Sequence, residues 1–259
     1  MSIRISIVTI CFNNPEELKE TISAIDAQLE KPFEHLIIDG STNTEIKDYL
    51  ENTPQPTYRS WLCERDKGIS DAFNKGILRS TGDVIHLQNS GDYYYDNEVL
   101  KLVKKEFETK PEIKWLHGKY VQYRGGVWVV SGKPFDRKKL YRGMRTIGHP
   151  AMFVKKELYD KYGLFDINKK IAMDYDFLVR IADEPFSFIE RPLIKFLPGG
   201  VSDKKMKEGL QEARESYFKY KGFDAKLVLW QWRIILLHEI TKSGIGKMLF
   251  RLKNRKKIT

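Results

Sequence analysis

Ile3, Ile5 and Ile7 alternate with Arg4 and Ser6, and the apolar run continues through Val8, Thr9, Ile10 and Cys11. A period of two predicts a strand. Phe12-Asn13-Asn14-Pro15 turns the chain into a helix. Asn14 can cap it, Pro15 suits its first position, and Glu17 stands three residues beyond the cap. Leu18, Ile22 and Ile25 then recur at helical spacing. The alternation repeats along the first half. Phe33–Asp39 predicts a strand ending in Asp-Gly-Ser-Thr, and Thr44–Leu50 a helix that Asn52–Pro56 stops. Trp61–Glu64 predicts an edge strand. After the turn Asp66-Lys67-Gly68, Ile69–Leu78 places Ile69, Ala72, Phe73 and Ile77 on one helical face. Val84–Leu87 reads as a short buried strand that ends in Asn89-Ser90-Gly91-Asp92, and Glu98–Thr109 as a helix.

Strands alternating with helices predict an α/β fold with a mostly parallel sheet covered on both faces. The strand ends at Cys11, Asp39, Glu64 and Gln88 then fall along one edge, where ligands bind in open α/β sheets. Beyond Glu112 the pattern changes. Trp115–Tyr123 and Gly126–Ser131 read as two strands around a Gly125-Gly126 turn. Lys133–Gly148 is polar, irregular and basic. Met152–Val154 predicts a strand, Lys156–Tyr162 a helix, Ile171–Ala182 a helix with a buried face, and Phe186–Leu197 a strand broken at Pro192. Lys205–Tyr220 predicts a charged helix. Ala225–Ile240 has a helical pattern but is apolar nearly all round, and the segment after it is basic. The expected organisation is one compact unit over residues 1–222, with a nucleotide-binding half (1–110) and an acceptor half (111–222), followed by a helical basic extension (223–259).

Composition changes this picture little. A chain of 259 residues supports a substantial core. Cys11 and Cys63 do not make a disulfide framework and fit a reducing compartment, the start of the chain lacks the shape of a signal peptide, and no apolar run is long enough to span a bilayer. The expected location is cytoplasmic. The net charge of +10 permits nucleic acid, anionic lipid or phosphorylated small ligands as partners. Much of the excess follows Lys242, and the aromatic residues do not interleave with basic ones in a nucleic-acid motif, so nucleic acid is not expected. A basic, aromatic-rich amphipathic stretch over 225–257 suits either an anionic membrane surface, at the inner face of the cytoplasmic membrane, or packing on the core. The oligomeric state is not legible.

Several residues carry candidate chemistry. Asp92 offers hard oxygen to a divalent cation whose other ligands are phosphate oxygens and water. Its plain alternative is a strand-ending turn. Asp39 can accept hydrogen bonds from a base or ribose, with Asp66 or Asn74 nearby. Asp174 and Asp176 open the helical run after Ile171. One can face a cleft as a general base while the other caps the helix or pairs with Arg180. His149 suits a phosphate contact, a metal shell or a packed polar position. No GxGxxG or GxxxxGK[ST] follows the first strand, which argues against a dinucleotide enzyme and a P-loop ATPase.

The segments IVTICFNNPEEL, HLIIDGST, CERDKGISDAFNKG, GDVIHLQNSGD, HPAMFVKKELYDKYGLFD and AMDYDFLVRI, in this order, resemble the inverting nucleotide-sugar glycosyltransferases of family 2, which have the GT-A fold. The resemblance spans about residues 3–200 and is nearest in pattern to bacterial enzymes of capsule, O-antigen or exopolysaccharide synthesis. It implies that Thr9, Cys11, Asn13 and Asp39 hold the base and ribose of a nucleotide-sugar donor, and that Asp66 and Lys67 lie near base and phosphates. It sets Asn89, Ser90 and Gly91 in the place of the family's acidic metal motif, with Asp92 as the secure carboxylate for Mn²⁺ or Mg²⁺. Asp174 matches the aspartate of the family's ED motif and becomes the base candidate, while Met173 replaces the usual glutamate. Arg142, Arg145 and His149 shape a pocket for a glycan or lipid-diphosphate-linked acceptor, and Ser202 belongs to a loop near the phosphates. The implied reaction is sugar transfer with inversion from a UDP-sugar, the commonest donor of the resembling group. The alternatives are a sugar-phosphate nucleotidyltransferase, disfavoured by the missing Gly-rich loop after the first strand, and a non-catalytic protein that binds an anionic ligand.

Overall fold

Each apolar run of the first half becomes a strand: β1 (Ile5–Cys11), β2 (Glu34–Asp39), β3 (Arg59–Cys63) and β4 (Val84–Asn89). All pairings among them are parallel. Every residue of β1 is buried, as a strand covered on both faces requires. The helices α1 (Pro15–Asp26), α2 (Glu45–Asn52) and α3 (Ile69–Arg79) join these strands, and α4 (Val99–Thr109) follows. The computed structural model describes residues 2–124, 127–196 and 205–242. The readings for the Gly125-Gly126 turn, for Ser202 and its loop, and for the basic segment after Lys242 lie outside the described residues.

The second half adds β5 (Tyr93–Tyr94), β6 (Trp115–Arg124), β7 (Val127–Ser131), β8 (Met152–Lys155) and β9 (Phe186–Phe196) to one nine-stranded sheet. The order is β3-β2-β1-β4-β8-β6-β9-β5, with β7 paired to β6. The fold class is α/β. The parallel character belongs to β1–β4 and to the pair β6–β9, whereas β8 lies antiparallel between β4 and β6. Strand β9 is not broken at Pro192. The register shifts on either side of Lys119, which stands opposite Pro192, and a proline is tolerated at such an irregularity because it has no ladder N–H to give.

Helices α5 (Lys156–Tyr162) and α6 (Met173–Ile181) pack on one face of the sheet, with Phe177, Leu178 and Ile181 against Phe73, Ile77 and Trp115. On the other face, Val103 and Phe107 of α4 cover Ile7, Val84 and Phe153. Two helices follow, α7 (Met206–Lys221) and α8 (Ala225–Lys242). Leu227 and Gln231 of α8 are buried, while Leu229, Trp232, Leu236 and Ile240 form an exposed stripe. Among the described residues no helix is long and apolar enough to cross a membrane.

Candidate active site

The parallel register sets the strand ends level. Cys11 stands opposite Asp39, Asp39 opposite Cys63, and Ile10 opposite Asn89. Two adjacent asparagines then tie the loops together. Asn13 adopts φ +53°, a conformation asparagine tolerates, and its amide oxygen accepts the Thr42 N–H at 2.9 Å while its own N–H donates to Ser41 Oγ at 2.8 Å. The Asn14 side-chain amide donates the other way, to Ser90 Oγ at 2.5 Å and Glu17 Oε2 at 2.6 Å. Asn14 is the N-cap residue of α1 but makes no side-chain cap bond there, so its amide is used across the crevice instead.

Asp39 is 3% exposed and its Oδ1 accepts the Ser41 N–H at 3.0 Å. The Cys11 thiol lies 3.7 Å from the same oxygen. Burial first, and the Asp39 charge second, push both Cys11 and Cys63 up, Cys63 to about 11, so both thiols stay protonated. Asp66 reaches this place from the next loop. A Cβ on Gly40 would fall 1.8 Å from Asp66 Oδ2, so only glycine lets that carboxylate lie on the β2 end. Asp66 Oδ1 also accepts the Gly68 N–H at 2.8 Å, and Lys67 is exposed.

The β4 end is a closed turn. Asp92 Oδ2 accepts from the Asn89 N–H at 2.9 Å and from the Asn89 side chain at 3.1 Å. Gly91 takes φ +93°, and its N–H donates to Thr21 Oγ1 at 2.9 Å. Asp92 is 6% exposed, and burial pushes its carboxyl up to about 6, with the charge of Glu17 adding to the rise.

Asp174 enters from α6. It is half-buried in the first turn of that helix, and burial raises its carboxyl, with His149 opposing the rise and Glu212 adding to it. The helix start is docked onto α3. Ser70 Oγ donates to Lys169 O at 2.9 Å and lies 2.7 Å from Met173 Sδ. His149 packs edge-on against Phe73 at 5.6 Å, and burial holds its imidazole below the usual range, hence neutral, while Asp174 pulls it back. Asp66 thus lies on the β2 end beside Gly40, and Ser70, four residues on at the start of α3, bonds to the segment that leads into Asp174.

The family model for glycosyl transferase family 2 matches residues 6–163, more than half of the chain. The chain belongs to glycosyl transferase family 2. The uncharacterized glycosyltransferase MT1564 of Mycobacterium tuberculosis is 30% identical over 180 residues, 69% of this chain and 68% of the relative. The uncharacterized glycosyltransferase YwdF of Bacillus subtilis is 26% identical over 191 residues, 70% of this chain and 69% of the relative. Two solved structures share the fold. Mannosyltransferase PcManGT from Pyrobaculum calidifontis, in complex with GDP-Man and Mn²⁺, superposes with a TM-score of 0.64 at 15% identity, covering 100% of this chain and 81% of that one. TarS 1–349 of Staphylococcus aureus, in complex with UDP-GlcNAc, gives 0.61 at 14% identity, covering 88% of this chain and 70% of that one.

In this glycosyltransferase Thr9 has no exposed surface and its hydroxyl meets His35 Nε2 at 2.9 Å within the sheet. Asn74 donates to Phe165 O and accepts from Phe165 N–H, both at 2.9 Å, and so holds that loop. Asp176 pairs with Arg180 at 3.0 Å, leaving Asp174 as the carboxylate at the helix start. Arg142 and Arg145 line a cavity against Trp230.

Two contributors escaped the sequence reading. Glu17 was read only as a helix-start residue, yet it lies beside Asn14, Gly91 and Asp92. Glu212 on α7 accepts the N–H groups of Ile171 and Ala172 at 2.9 Å and of Lys170 at 3.2 Å. These amides belong to the N-cap of α6, Ala172, and to the two residues before it, so Glu212 anchors the turn that presents Asp174. Among the described residues no group of three or more His, Cys, Asp or Glu could hold a metal ion. Asp92 with Glu17 beside it is an oxygen-only set whose chemistry suits a hard cation, provided diphosphate and water supply most of the ligands.

Proposed function

We propose that this glycosyltransferase moves a sugar from a nucleotide-diphosphate sugar, first of all a UDP-sugar, to a hydroxyl of a glycan or lipid-linked acceptor, with inversion. The observation that carries this reading is the docking of the Asp174 turn onto the helix that follows Asp66, through Ser70. The likeness in fold to structures that hold UDP-GlcNAc and GDP-Man supports a nucleotide-sugar donor. The base and ribose lie along Cys11, Asn13 and Asp39, with Asp66 and Lys67 toward the phosphates, and residues 1–110 supply this half. Asp92, with Asn89–Gly91 around it, would hold Mn²⁺ or Mg²⁺ beside the donor diphosphate. When bound, the cation neutralises charge on the departing nucleotide.

Residues 111–222 supply the acceptor half. Asp174 takes the proton from the acceptor hydroxyl, whose oxygen attacks the anomeric carbon opposite the leaving nucleotide. Burial raises the Asp174 carboxyl, which makes its anion a stronger base than an exposed aspartate. Burial lowers the basicity of the His149 imidazole while it raises that of the Asp174 carboxylate. The exposed stripe of α8, continued by the basic segment after it, attaches the enzyme to an anionic surface at the inner face of the cytoplasmic membrane, in cell-surface polysaccharide synthesis.

Purified protein incubated with metal and a panel of nucleotide sugars tests the proposal by the nucleotide released. Nucleoside diphosphate is expected, and release of pyrophosphate from a nucleoside triphosphate would instead mark a nucleotidyltransferase. Asp174→Asn should keep donor binding and lose about 10²- to 10⁴-fold in transfer. Normal turnover in that variant would remove Asp174 from the mechanism.

A further inference from the structure

The segment before His149 and helix α8 enclose a second cavity, of about 380 Å³, within the size range of small-ligand sites. Lys133, Lys139, Arg142 and Arg145 line it against one carboxylate, Asp136, which already pairs with Lys139 at 2.6 Å. Among the described residues no carboxylate pairs with Lys133, Arg142 or Arg145. The guanidinium groups of Arg142, Arg145 and Arg233 gather instead on the ring of Trp230, at 5.0, 5.2 and 5.5 Å from its centre. Cation–π contacts hold each one in place, yet three like charges around a single ring repel one another. The indole N–H of Trp230, itself a lining residue, is buried and meets no acceptor among the described residues. An anion with several oxygens answers both deficits. It neutralises the clustered guanidiniums, which suit phosphate oxygens in pairs, and it gives the indole a hydrogen-bond acceptor.

We propose that this cavity binds a phosphate or diphosphate group carried by the acceptor. The proposal rests on the transferase reading above and names the acceptor's chemistry. The cavity wall is tied to the base. Tyr175, next to Asp174, donates its hydroxyl to Leu140 O at 2.8 Å, and Leu140 stands two residues before Arg142 in the same short helical segment. Farther along the same stretch, His149 interacts with the Asp174 charge. The strand-end crevice assigned to the donor is built from other residues, so the two anionic groups occupy separate places. An acceptor held by its phosphate at Arg142 and Arg145 presents its hydroxyl towards Asp174.

Inorganic pyrophosphate is the first probe, titrated calorimetrically into the full chain. Wild type should bind it with an affinity that falls as salt rises, and the double variant Arg142→Gln/Arg145→Gln should bind at least tenfold more weakly. Trp230→Phe, which keeps an aromatic face for the guanidiniums and removes the indole N–H together with its five-membered ring, gives a milder second variant and should weaken binding about threefold to tenfold. Equal pyrophosphate affinity in the double variant overturns the proposal.

A second arm identifies the source of the group with a soluble phosphorylated glycoside and a diphosphate-linked lipid in neutral vesicles. The double variant should raise KM for whichever is the acceptor at least tenfold. Unchanged KM for both overturns it. Binding of pyrophosphate does not depend on turnover, so its outcome stays distinct from that of Asp174→Asn.

Discussion

Asp92→Asn should make the protein more stable at pH 8 while abolishing cation-dependent nucleotide binding. Burial lifts the Asp92 carboxyl from the ordinary 3.8 to about 6. The folded state therefore holds this proton more tightly than the unfolded chain does. Below the unfolded value the carboxyl is neutral in both states and the fold keeps that advantage. The advantage is lost as pH rises through about 6. The rise from 3.8 to about 6 corresponds to about 3 kcal/mol, absent above that range. Asparagine is neutral at every pH and recovers it. The two Asn89 donors both converge on one Asp92 oxygen, and an amide oxygen can take its place. The rise to about 6 already includes those two bonds to the charged carboxylate, so they call for no separate deduction. The gain at pH 8 is therefore about 3 kcal/mol, or about 6–12 °C in Tm for a chain of this size. Thermal unfolding of both proteins from pH 4 to pH 8 reads it directly, with the difference vanishing toward pH 4. A variant no more stable than wild type at pH 8 would refute the account of Asp92 as a charge held out of water. Adding nucleoside diphosphate with Mn²⁺ should raise the wild-type Tm at pH 8 and leave that of the variant nearly unmoved.

Other perturbations separate positioning from folding. Glu212→Gln should lower stability by about 1–2 kcal/mol, because three backbone N–H groups lose a charged acceptor. It should also move the acid limb of kcat/KM to lower pH, because the Glu212 charge adds to the rise of the Asp174 carboxyl; a limb that stays put would leave Glu212 with a structural part only. Gly40→Ala should weaken nucleotide binding about tenfold with little change in Tm, since the new Cβ displaces the end of a flexible side chain, Asp66, and no backbone. Unaltered affinity, measured by calorimetry, would take Asp66 out of the donor site. Trp232→Ser with Leu236→Ser should reduce partition onto anionic vesicles and leave the fold intact, since both side chains are exposed. Equal vesicle partition would leave the stripe to another partner.

The first half of this fold is legible in the sequence because its logic is local. Each strand in the first half announces itself by period, each ends in a polar turn, and parallel pairing brings the ends level without any further information. The second half is not local. The run Met152–Lys155 is too short to declare its direction, so nothing in it shows that β8 will lie antiparallel between β4 and β6. Tyr93–Tyr94 is too short to show a period at all. Pro192 reads as a break until Lys119 is known to stand opposite it at a register shift. Glu212 lies about forty residues beyond the amides it holds, in a helix whose sequence shows only charge. Glycosyl transferase family 2 is matched over residues 6–163, and both Asp174 and Glu212 lie past that limit. A donor nucleotide makes the same demands wherever it is bound, and short motifs can meet them. The turn that carries Asp174 is held instead by Ser70, Leu140 and Glu212, from three distant parts of the chain. Its placement resides in long-range contacts, which is why the cavity around Trp230 emerged from the folded protein, while Asp39 and Asp92 stood out in the linear chain.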